Sequence, residues 1–335
     1  MKLVVLTKQF GNYTGATIST IELLKRISSN FDSVLVLTLK TDGTIIDNVN
    51  VTVLNGYLKL IKSLKKQKNV IGYSDDHLGF LFSLANINYV HTYHGNWPDA
   101  RKLSFDMFIK SFYFMPLYKI TIREAWKVIS VSQYMQQHFV NLINKNNEVI
   151  YNGVRQKEIF EKKSDQNMNN YFIMVGNIDK RKYSRALKIF DELEKQGYKG
   201  TIDIYGAELD QLLVKKLDEY KFVNVKGIEN SINYGKYNGL ICTSASENLP
   251  VSIIEAIINR IPVISSNVGG IPEVVNYESG ILLDVNDVNS FATTIINYEE
   301  KKISRQFADK VKATFNWDQS SDLYMQVFKK IGKNK

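Results

Sequence analysis

Short apolar runs alternate with helical patterns along most of the chain, and this alternation limits the possible folds more than any other feature. After the run at residues 2–7, apolar side chains at Ile18, Ile21, Leu24 and Ile27 recur at the spacing of one helical face. Further apolar runs follow at residues 34–39, 70–73, 89–93, 128–132, 171–175, 201–205, 223–226, 240–242 and 263–264. Strands that alternate with helices are joined by crossovers, so the pattern predicts an α/β fold with parallel sheets.

A polar run at residues 162–170 interrupts this alternation, and a fresh series of strands and helices starts at residue 171. A chain of 335 residues is also long for a single core. We therefore predict two Rossmann-like domains, residues 1–162 and 171–310, whose parallel sheets face a central cleft. Ligands of such sheets bind beyond the carboxyl ends of the strands, which is where the polar loops discussed below lie.

Composition excludes several classes of protein. The single cysteine, Cys242, rules out a disulfide framework within the chain and favours a reducing compartment. No apolar stretch approaches the roughly 20 residues of a membrane span, and the opening residues predict a strand rather than a signal peptide. The net charge of +9 is compatible with anionic small molecules, an anionic membrane surface or simple solubility. Nucleic acid ranks last, because no nucleic-acid-binding motif is present.

Residues 241–275 contain more candidate functional residues than any other stretch of similar length. They read as a strand, a polar loop, a helix that begins near Pro250, a second strand and a Gly269-Gly270 turn. Glu247 precedes the helix and Glu255 lies within it, and such carboxylates can accept hydrogen bonds from the vicinal hydroxyls of a ribose or a hexose. Acids favoured near a helix N-terminus by its dipole explain the pair equally well. A glycoside-hydrolase pair fits poorly, because nothing else indicates that architecture.

This stretch resembles the retaining GT-B glycosyltransferases of family GT4, the glycosyl transferases group 1. The resemblance rests on two Glu separated by seven residues, a Pro-Val strand and a Gly-Gly-x-Pro-Glu turn. The matching residues are Ser246, Glu247, Pro250, Glu255, Ala256, Ile261, Pro262, Val263, Gly269, Gly270, Ile271, Pro272 and Glu273. The resemblance implies a GT-B fold, and we expect residues 311–335 to form a C-terminal helix that crosses back to the first domain.

The resemblance also implies roles for these residues at the donor end. Glu247 would bind hydroxyls of the donor sugar, and Glu255 would hold the ribose of the nucleotide. The positive end of the helix would face the diphosphate. The remaining predicted donor-binding residues of this stretch are Asn248, Leu249, Pro250, Gly269 and Gly270.

Residues 176–182 resemble the family segment in which an Arg and a Lys clamp the departing diphosphate. Lys182 matches the Lys, but Asn177 stands where the family has Arg. Stabilisation of the leaving group would then rest on Lys182, with Arg181 or Lys180 in support. A solvated basic turn is the alternative.

In the first half, Gly15-Ala16 resembles the small-residue pair at the start of the family's first helix, and His94-Gly95 its strand-end His-Gly. Gly15 and Ala16 would approach the donor phosphates or the acceptor, although an ordinary turn explains them as well. His94 would face the donor sugar, the alternative being a structural histidine. The loops that follow two strands predict four acceptor-side residues, Asp76, His77, Asn96 and Trp97. A metal cluster at residues 75–77 is disfavoured, because the three are contiguous and no fourth ligand is evident.

Two basic stretches bear on membranes. Residues 57–68 form a lysine-rich amphipathic pattern, and residues 101–127 mix aromatic and basic side chains. Such features can dock on an anionic bilayer, and in the family they lie near membranes that carry lipid-linked acceptors. The alternatives are a solvated basic face and a buried aromatic core helix.

Taken with the resemblance, these features predict a cytoplasmic retaining glycosyltransferase, with the inner face of the membrane as an open possibility. It would move a hexose or N-acetylhexosamine from a nucleoside diphosphate sugar, most often UDP-linked, to a hydroxyl of a cell-surface glycan or lipid-linked acceptor. We expect no cofactor and no metal, and Glu247, Lys182 and His94 as catalytic residues. The alternatives are an inverting GT-B transferase or epimerase, and a non-catalytic partner subunit, the latter suggested by Asn177.

Overall fold

A computed structural model describes residues 1–155, 170–229, 231–299 and 302–333. The chain forms two compact units, one made of residues 1–153 with 316–335 and the other of residues 154–315. The predicted linker at residues 162–170 lies outside the described residues except for Asn170.

The first unit is built on seven parallel strands in the described part of the chain, in the spatial order β3-β2-β1-β4-β5-β6-β7. Its strands are β1 (Lys2–Phe10), β2 (Ser33–Thr41), β3 (Val49–Val53), β4 (Val70–Ser74), β5 (Tyr89–Tyr93), β6 (Lys127–Ser130) and β7 (Asn147–Val149). Successive side chains of β1 point to opposite faces, so Leu3 and Val5 join one apolar core while Val4 and Leu6 join the other.

Helices cover both faces of this sheet. They are α1 (Gly15–Ile27), α2 (Tyr57–Lys65), α3 (Phe80–Leu84), α4 (Trp97–Ala100), α5 (Phe105–Glu124), α6 (Gln133–Met135) and α7 (Asn141–Ile143). A π-helical turn joins α6 to α7, and a 3₁₀ turn, His77–Gly79, precedes α3. Thr14 caps α1 in a reciprocal capping box with Thr17, which fixes where the loop after β1 ends.

The second unit repeats this plan with six parallel strands among its described residues, in the order β10-β9-β8-β11-β12-β13. Its strands are β8 (Tyr171–Val175), β9 (Thr201–Tyr205), β10 (Val223–Gly227), β11 (Gly239–Cys242), β12 (Val263–Ser266) and β13 (Gly280–Leu283). Its helices are α8 (Lys180–Lys195), α9 (Gln211–Leu217), α10 (Val251–Ile258), α11 (Val288–Ile296) and α12 (Arg305–Thr314). The predicted parallel α/β architecture with two Rossmann-like units is therefore confirmed.

The last helix, α13 (Trp317–Lys333), belongs to the first unit. Its buried side chains Tyr324 and Phe328 pack edge-on against Tyr73 of β4, and Tyr324 shares a hydrogen bond of 2.9 Å with Thr92 of β5. Arg26 of α1 donates to Asp318 at 2.9 Å. These contacts anchor the C-terminal segment on the first sheet.

Boundaries next to two of the predicted site loops differ from the sequence pattern. The first apolar run ends at residue 7, but β1 continues to Phe10, because its backbone pairs with β2 as far as Thr41. The helix expected to begin at Pro250 begins at Val251, with Pro250 in an extended conformation at its N-cap.

Candidate active site

Three loops of the second unit meet where β8, β11 and β12 end, because these strands are neighbours in one parallel sheet. The amide of Ala245 donates to the carbonyl of Arg181 at 2.9 Å, and the hydroxyl of Thr243 donates to the carbonyl of Lys182 at 2.8 Å. The amide of Gly270 donates to the carbonyl of Asn248 at 2.9 Å. These three hydrogen bonds hold the start of α8, the loop after β11 and the Gly-Gly turn together.

Glu247 is the centre of this junction. Its Oε1 lies 3.0 Å from a guanidinium nitrogen of Arg181 and 3.4 Å from Nζ of Lys182, and it accepts a hydrogen bond of 2.8 Å from the hydroxyl of Ser244. The guanidinium of Arg181 also donates to the carbonyl of Ser246 at 2.7 Å. One carboxylate therefore holds two cations at the strand ends, and we call Glu247, Arg181 and Lys182 the charge cluster.

Electrostatics keep Glu247 ionised. Burial alone would raise the pKa of its carboxyl, but the charges of Lys182 and Arg181 and the Ser244 hydrogen bond outweigh burial and lower that pKa. The charges of Glu247 and Asp179 raise the pKa of Arg181 against the effect of its own burial. The charge cluster itself carries one net positive charge, and the carboxylate of Asp179, 3.9 Å from the Arg181 guanidinium, adds one negative charge at its edge. Two cations held by an ionised acid suit an anionic ligand rather than proton transfer by Glu247.

The Gly-Gly turn is required by close backbone packing. Gly269 has φ +58°, and a Cβ there would lie 1.8 Å from the carbonyl oxygen of Glu247. A Cβ on Gly270 would lie 2.1 Å from the carbonyl oxygen of Asn248. Both glycines let the turn pack against the backbone carbonyls of Glu247 and Asn248, so they shape the loop that carries the Glu247 side chain.

The segment expected to clamp a diphosphate, residues 176–182, runs into the start of helix α8. There the side chain of Asp179 accepts a hydrogen bond from the amide of Lys182 and caps the helix. The Lys182 side chain lies over Gly176, where a Cβ would approach Nζ to 2.4 Å. Asn177, at the position where the family has Arg, is exposed, and so is Lys180. The structure places Arg181, not Lys180, beside Lys182 in the charge cluster.

Glu255 lies on α10, one turn beyond the loop that carries Glu247, and is half-buried. Its Oε2 accepts a hydrogen bond of 3.1 Å from the hydroxyl of Tyr234, a buried residue whose pKa is raised by burial and by the Glu255 charge. Asn248 and Leu249 are half-buried and Pro250 is buried. Sequence reasoning missed Tyr234 and Ser244, because neither lies in a periodic pattern or a recognised motif.

A cavity of about 270 Å³ lies at the corresponding end of the first sheet. It forms where the loops that follow β4 and β5 meet β1 and the start of α1. Its lining residues are Thr7, Lys8, Gln9, Thr14, Ala16, Thr17, Asp75, Asp76, His77, His94, Gly95, Trp97, Phe114 and Tyr118. Of the residues predicted for this half, Ala16, Asp76, His77, His94 and Trp97 therefore line one cavity.

Gly15 and Asn96 are not among the lining residues. Gly15 is the first residue of α1, and a Cβ there would meet nothing within 4 Å, so packing does not demand a glycine. Asn96 caps α4, with its side-chain amide donating to Asp99 at 3.1 Å. Asn96 thus has a local structural task in addition to any role with a ligand.

The histidines of the cavity are neutral. Burial lowers the pKa of His94 to about 4 and is the main cause that lowers the pKa of His77 to about 4. His77 packs against the rings of Tyr113, Phe114 and Tyr118. His91 faces the sheet, where its Nδ1 shares a hydrogen bond of 2.9 Å with Ser74. At neutral pH these rings offer hydrogen-bonding nitrogens without positive charge.

The acids of the cavity contrast with Glu247. Burial raises the pKa of Asp75 to about 6, and burial together with the Asp75 charge raises the pKa of Asp76 to about 7. Asp76 accepts hydrogen bonds from the amides of Leu78, at 2.8 Å, and Lys8. The sequence places Asp75 in the polar acceptor-side loop of residues 75–77, but adjacent acids carry no signal of which side chain faces inward. The described part of the chain has no group of three or more His, Cys, Asp or Glu side chains placed to hold a metal ion.

Helix α5 presents an apolar face to solvent. Its exposed side chains are Phe105, Phe108, Ile109, Phe112 and Tyr113, which recur at helical spacing. We call these five residues the aromatic face. A buried aromatic core helix, one of the alternatives from sequence, is therefore wrong for this face. In the residues that the structure covers, no helix has the length and apolar character needed to cross a membrane.

Comparison with known proteins identifies related families. Residues 155–313 match the family model described as Glycosyl transferases group 1, and residues 13–158 match Glycosyltransferase Family 4. The O-antigen chain mannosyltransferase RfbU of Salmonella typhimurium is 27% identical over 206 residues, covering 58% of this chain and 57% of that protein. The chain thus spans less than two thirds of the length of that relative.

Solved structures show the same fold. Sucrose-phosphate synthase from Thermosynechococcus elongatus superposes with a TM-score of 0.83 at 17% identity, over 100% of both chains. Anabaena HepE, solved in complex with UDP and glucose, superposes with a TM-score of 0.72 at 18% identity, over 98% of this chain and 99% of that one.

Proposed function

We propose that this chain, which belongs to the GT4-type glycosyltransferases of the glycosyl transferases group 1, transfers a hexose or N-acetylhexosamine with retention. The donor would be a nucleoside diphosphate sugar, UDP-linked, and the acceptor a hydroxyl of a cell-envelope glycan or a lipid-linked sugar. The observation that carries the proposal is the charge cluster at the strand ends of the second unit, an ionised carboxylate holding two cations.

The charge cluster supports a diphosphate leaving group. When the bond between the anomeric carbon and the diphosphate oxygen breaks, that oxygen takes the electron pair, and Arg181 and Lys182 would stabilise the charge that develops there. Glu247 holds both cations at the site before the donor arrives. The Glu247 carboxylate would then accept hydrogen bonds from hydroxyls of the transferred sugar. Positive side chains would thereby replace a divalent ion at the leaving group.

The acceptor hydroxyl would attack the anomeric carbon from the face that the diphosphate leaves. Its proton would pass to the departing diphosphate oxygen, so that no enzyme nucleophile is required. The low pKa of Glu247 fits this assignment, because a carboxylate that stays ionised at neutral pH is a poor general acid. Glu255 and Tyr234 would hold the ribose, and His94 would contact the transferred sugar.

The test is release of UDP from UDP-sugars, measured with and without a glycan acceptor, for the wild type and Glu247→Ala. We expect Glu247→Ala to lose transfer while its circular dichroism spectrum stays that of the wild type. Proton NMR of the product should show the anomeric configuration of the donor, and activity should survive EDTA. Unchanged transfer by Glu247→Ala would refute the site, an inverted product would refute retention, and loss with EDTA would refute metal independence.

We further propose that the aromatic face of α5 docks on an anionic membrane that carries the acceptor. Phe105 and Phe112 are 79% and 66% exposed, and a contiguous apolar face of this kind is unusual on a monomer. Tyr57 of α2 shares a hydrogen bond of 3.1 Å with Tyr113, which places exposed Leu58 near this face. Charge supports an anionic surface, since residues 57–68 hold five lysines and no acid.

Vesicle co-sedimentation tests this docking. The wild type should bind phosphatidylglycerol-containing vesicles and not pure phosphatidylcholine. Replacing Phe105 and Phe112 by Ser should weaken binding by about tenfold or more, since each buried Phe contributes about 1.5–3 kcal/mol. The matched control replaces Leu209 and Leu212, which are equally exposed in the second unit, and should bind as the wild type does. Equal losses in both double variants would refute a role specific to α5.

A further inference from the structure

One carboxylate oxygen in the first unit is buried and has no hydrogen-bond partner among the residues that the structure describes. Asp75 is only 4% exposed, and its Oδ2 accepts a hydrogen bond of 2.6 Å from the hydroxyl of Thr20. Its Oδ1 is the buried oxygen without a partner in that part of the chain. The nearby Thr7 hydroxyl, which acts to lower the pKa of Asp75, donates to the carbonyl of Gln9 at 3.1 Å. Leaving such an atom unsatisfied is costly, so an unpartnered carboxylate oxygen beside a cavity indicates a ligand that donates a hydrogen bond.

The cavity that Asp75 lines has a shape and a surface that suit one sugar ring. Its volume of about 270 Å³ is at the small end of ligand sites. On one side the rings of Trp97 and Phe114 stack, with centroids 5.0 Å apart and planes 23° apart, and offer an apolar wall. The hydroxyls of Thr7, Thr14 and Thr17 lie among the polar residues of the lining.

The charges of the cavity disfavour an anionic ligand. Asp75 and Asp76 are neighbours in the lining, and His77 and His94 are kept neutral by burial. Lys8 is the one lysine among the lining residues, its Nζ lies 5.9 Å from the centre of the Phe114 ring, and the lining includes no arginine. A phosphate or carboxylate placed here would meet a single cation and two acids, of which Asp76, with its pKa raised to about 7, is only partly ionised at neutral pH.

We propose that Asp75 determines acceptor specificity: its Oδ1 accepts a hydrogen bond from a hydroxyl of an uncharged sugar ring, and the Asp75–Asp76 pair excludes rings that carry phosphate or carboxylate. This inference rests on the glycosyl transfer proposed above and names the chemical class of its acceptor. Asp75 acts on binding and selection here, and takes no part in breaking the donor bond.

Saturation-transfer NMR on the full chain tests the proposal without any donor. The probes are methyl α-mannoside, methyl β-galactoside and methyl N-acetyl-β-glucosaminide, compared with mannose 6-phosphate and glucuronic acid. The wild type should bind at least one neutral glycoside and bind the two anionic sugars at least tenfold more weakly. Anionic sugars that bind as well as the neutral ones, or the absence of binding by every neutral glycoside, would overturn the proposal, and neither result depends on a variant.

The matched variants are Asp75→Asn and Asp47→Asn. Asp75→Asn keeps the size of the side chain but removes its charge. It should weaken binding of the neutral glycoside by about tenfold or more. It should also reduce the ratio between the affinities for neutral and anionic sugars. Asp47 is an exposed acid of the same unit outside the cavity, so Asp47→Asn should bind as the wild type does. Equal affinity of Asp75→Asn and the wild type would overturn the role of Asp75.

The two proposals fail separately. Binding of neutral glycosides that depends on Asp75, in a chain that releases UDP from no nucleotide sugar, would support the sugar cavity and overturn glycosyl transfer. Donor hydrolysis that depends on Glu247, in a chain whose glycoside binding is indifferent to Asp75, would support glycosyl transfer and overturn the acceptor cavity.

Discussion

The two units place acids at equivalent positions, beyond the carboxyl ends of parallel strands, but surround them differently. In the second unit Glu247 meets Arg181 and Lys182, and its pKa is lowered. In the first unit Asp75 and Asp76 lie beside neutral histidines, and their pKa values are raised to about 6 and about 7. The same sheet edge can therefore serve an anion in one unit and hydroxyl groups in the other, and the neighbours of the acid decide which.

The largest effect should come from removing a cation of the charge cluster. We expect Lys182→Met to lower kcat by about 10²–10³-fold, as expected when a group that stabilises charge in the transition state is lost. Steady-state UDP release measures this effect. Lys180→Met removes the same charge from an exposed position in the same helical turn and should change kcat less than about twofold. A similar loss in both variants would mean that general positive potential, rather than the cluster, stabilises the leaving group.

Two glycines allow the packing of one loop in each unit to be compared. Gly269→Ala places a Cβ against the Glu247 carbonyl at φ +58°, and should lower the free energy of unfolding by about 2 kcal/mol or more. Gly15→Ala meets nothing within 4 Å and should change stability by less than about 0.5 kcal/mol. Chemical denaturation measures both. Equal stability losses would show that the loop before α1 is packed as tightly as the Gly-Gly turn.

The acids should also differ in the pH dependence of stability. The folded pKa of Asp75 lies above its unfolded value, so the folded state binds more protons, and the penalty for its charge grows as pH rises through about 6. Asp75→Asn should therefore gain stability relative to the wild type between pH 5 and 8, by roughly 1–2 kcal/mol. The buried histidines change stability with pH in the opposite direction, since their folded pKa values are lowered. Both proteins contain these histidines, so their effect cancels when the two stabilities are subtracted.

Denaturation of both proteins at several pH values measures this gain. Glu247→Gln provides the contrast, because the pKa of Glu247 is lowered and its contribution is present above its unfolded pKa and lost as pH falls through the folded one. The stability that Glu247→Gln loses relative to the wild type should become smaller only at acidic pH. A pH-independent difference for Asp75→Asn would mean that its carboxyl is not destabilised by burial.

The smallest effect should follow restoration of the family's arginine. Asn177 is exposed, while Arg181 already lies 3.0 Å from Glu247. Asn177→Arg should therefore raise kcat/KM by no more than about threefold, less than a strong charge-assisted contact would give. An increase above tenfold would mean that Arg181 does not substitute for the family's residue.

Sequence reasoning recovered the repeating strand and helix pattern because apolar periodicity is a local signal. It placed α1 within a few residues, since its apolar face is regular and its cap is polar. It did not identify β13 or α11, because residues 276–303 mix polar and apolar side chains without a clear period. These elements owe their form to packing against β12 and α8, which a single sequence does not display.

The sequence predicted residues of the candidate site only where they belong to a recognised motif. Glu247, Glu255, Lys182 and the Gly-Gly turn stand in such a motif, although their roles with a ligand stay predictions. The contacts that distinguish Arg181 from Lys180, and Asp75 from Asp76, depend on which way adjacent side chains point. The exposure of the aromatic face likewise depends on what α5 packs against, since its composition alone is equally typical of a buried helix.

The central claim is that the charge cluster of the second unit binds a nucleoside diphosphate sugar. The most direct measurement is a thermal-shift screen of UDP-, GDP- and ADP-sugars against the wild type, Lys182→Met and Lys180→Met. A ligand that binds the folded state raises Tm by mass action. We predict that at least one sugar nucleotide raises Tm, and that this shift persists in Lys180→Met and is lost in Lys182→Met. No shift with any of them, or the same shift in all three proteins, would contradict it.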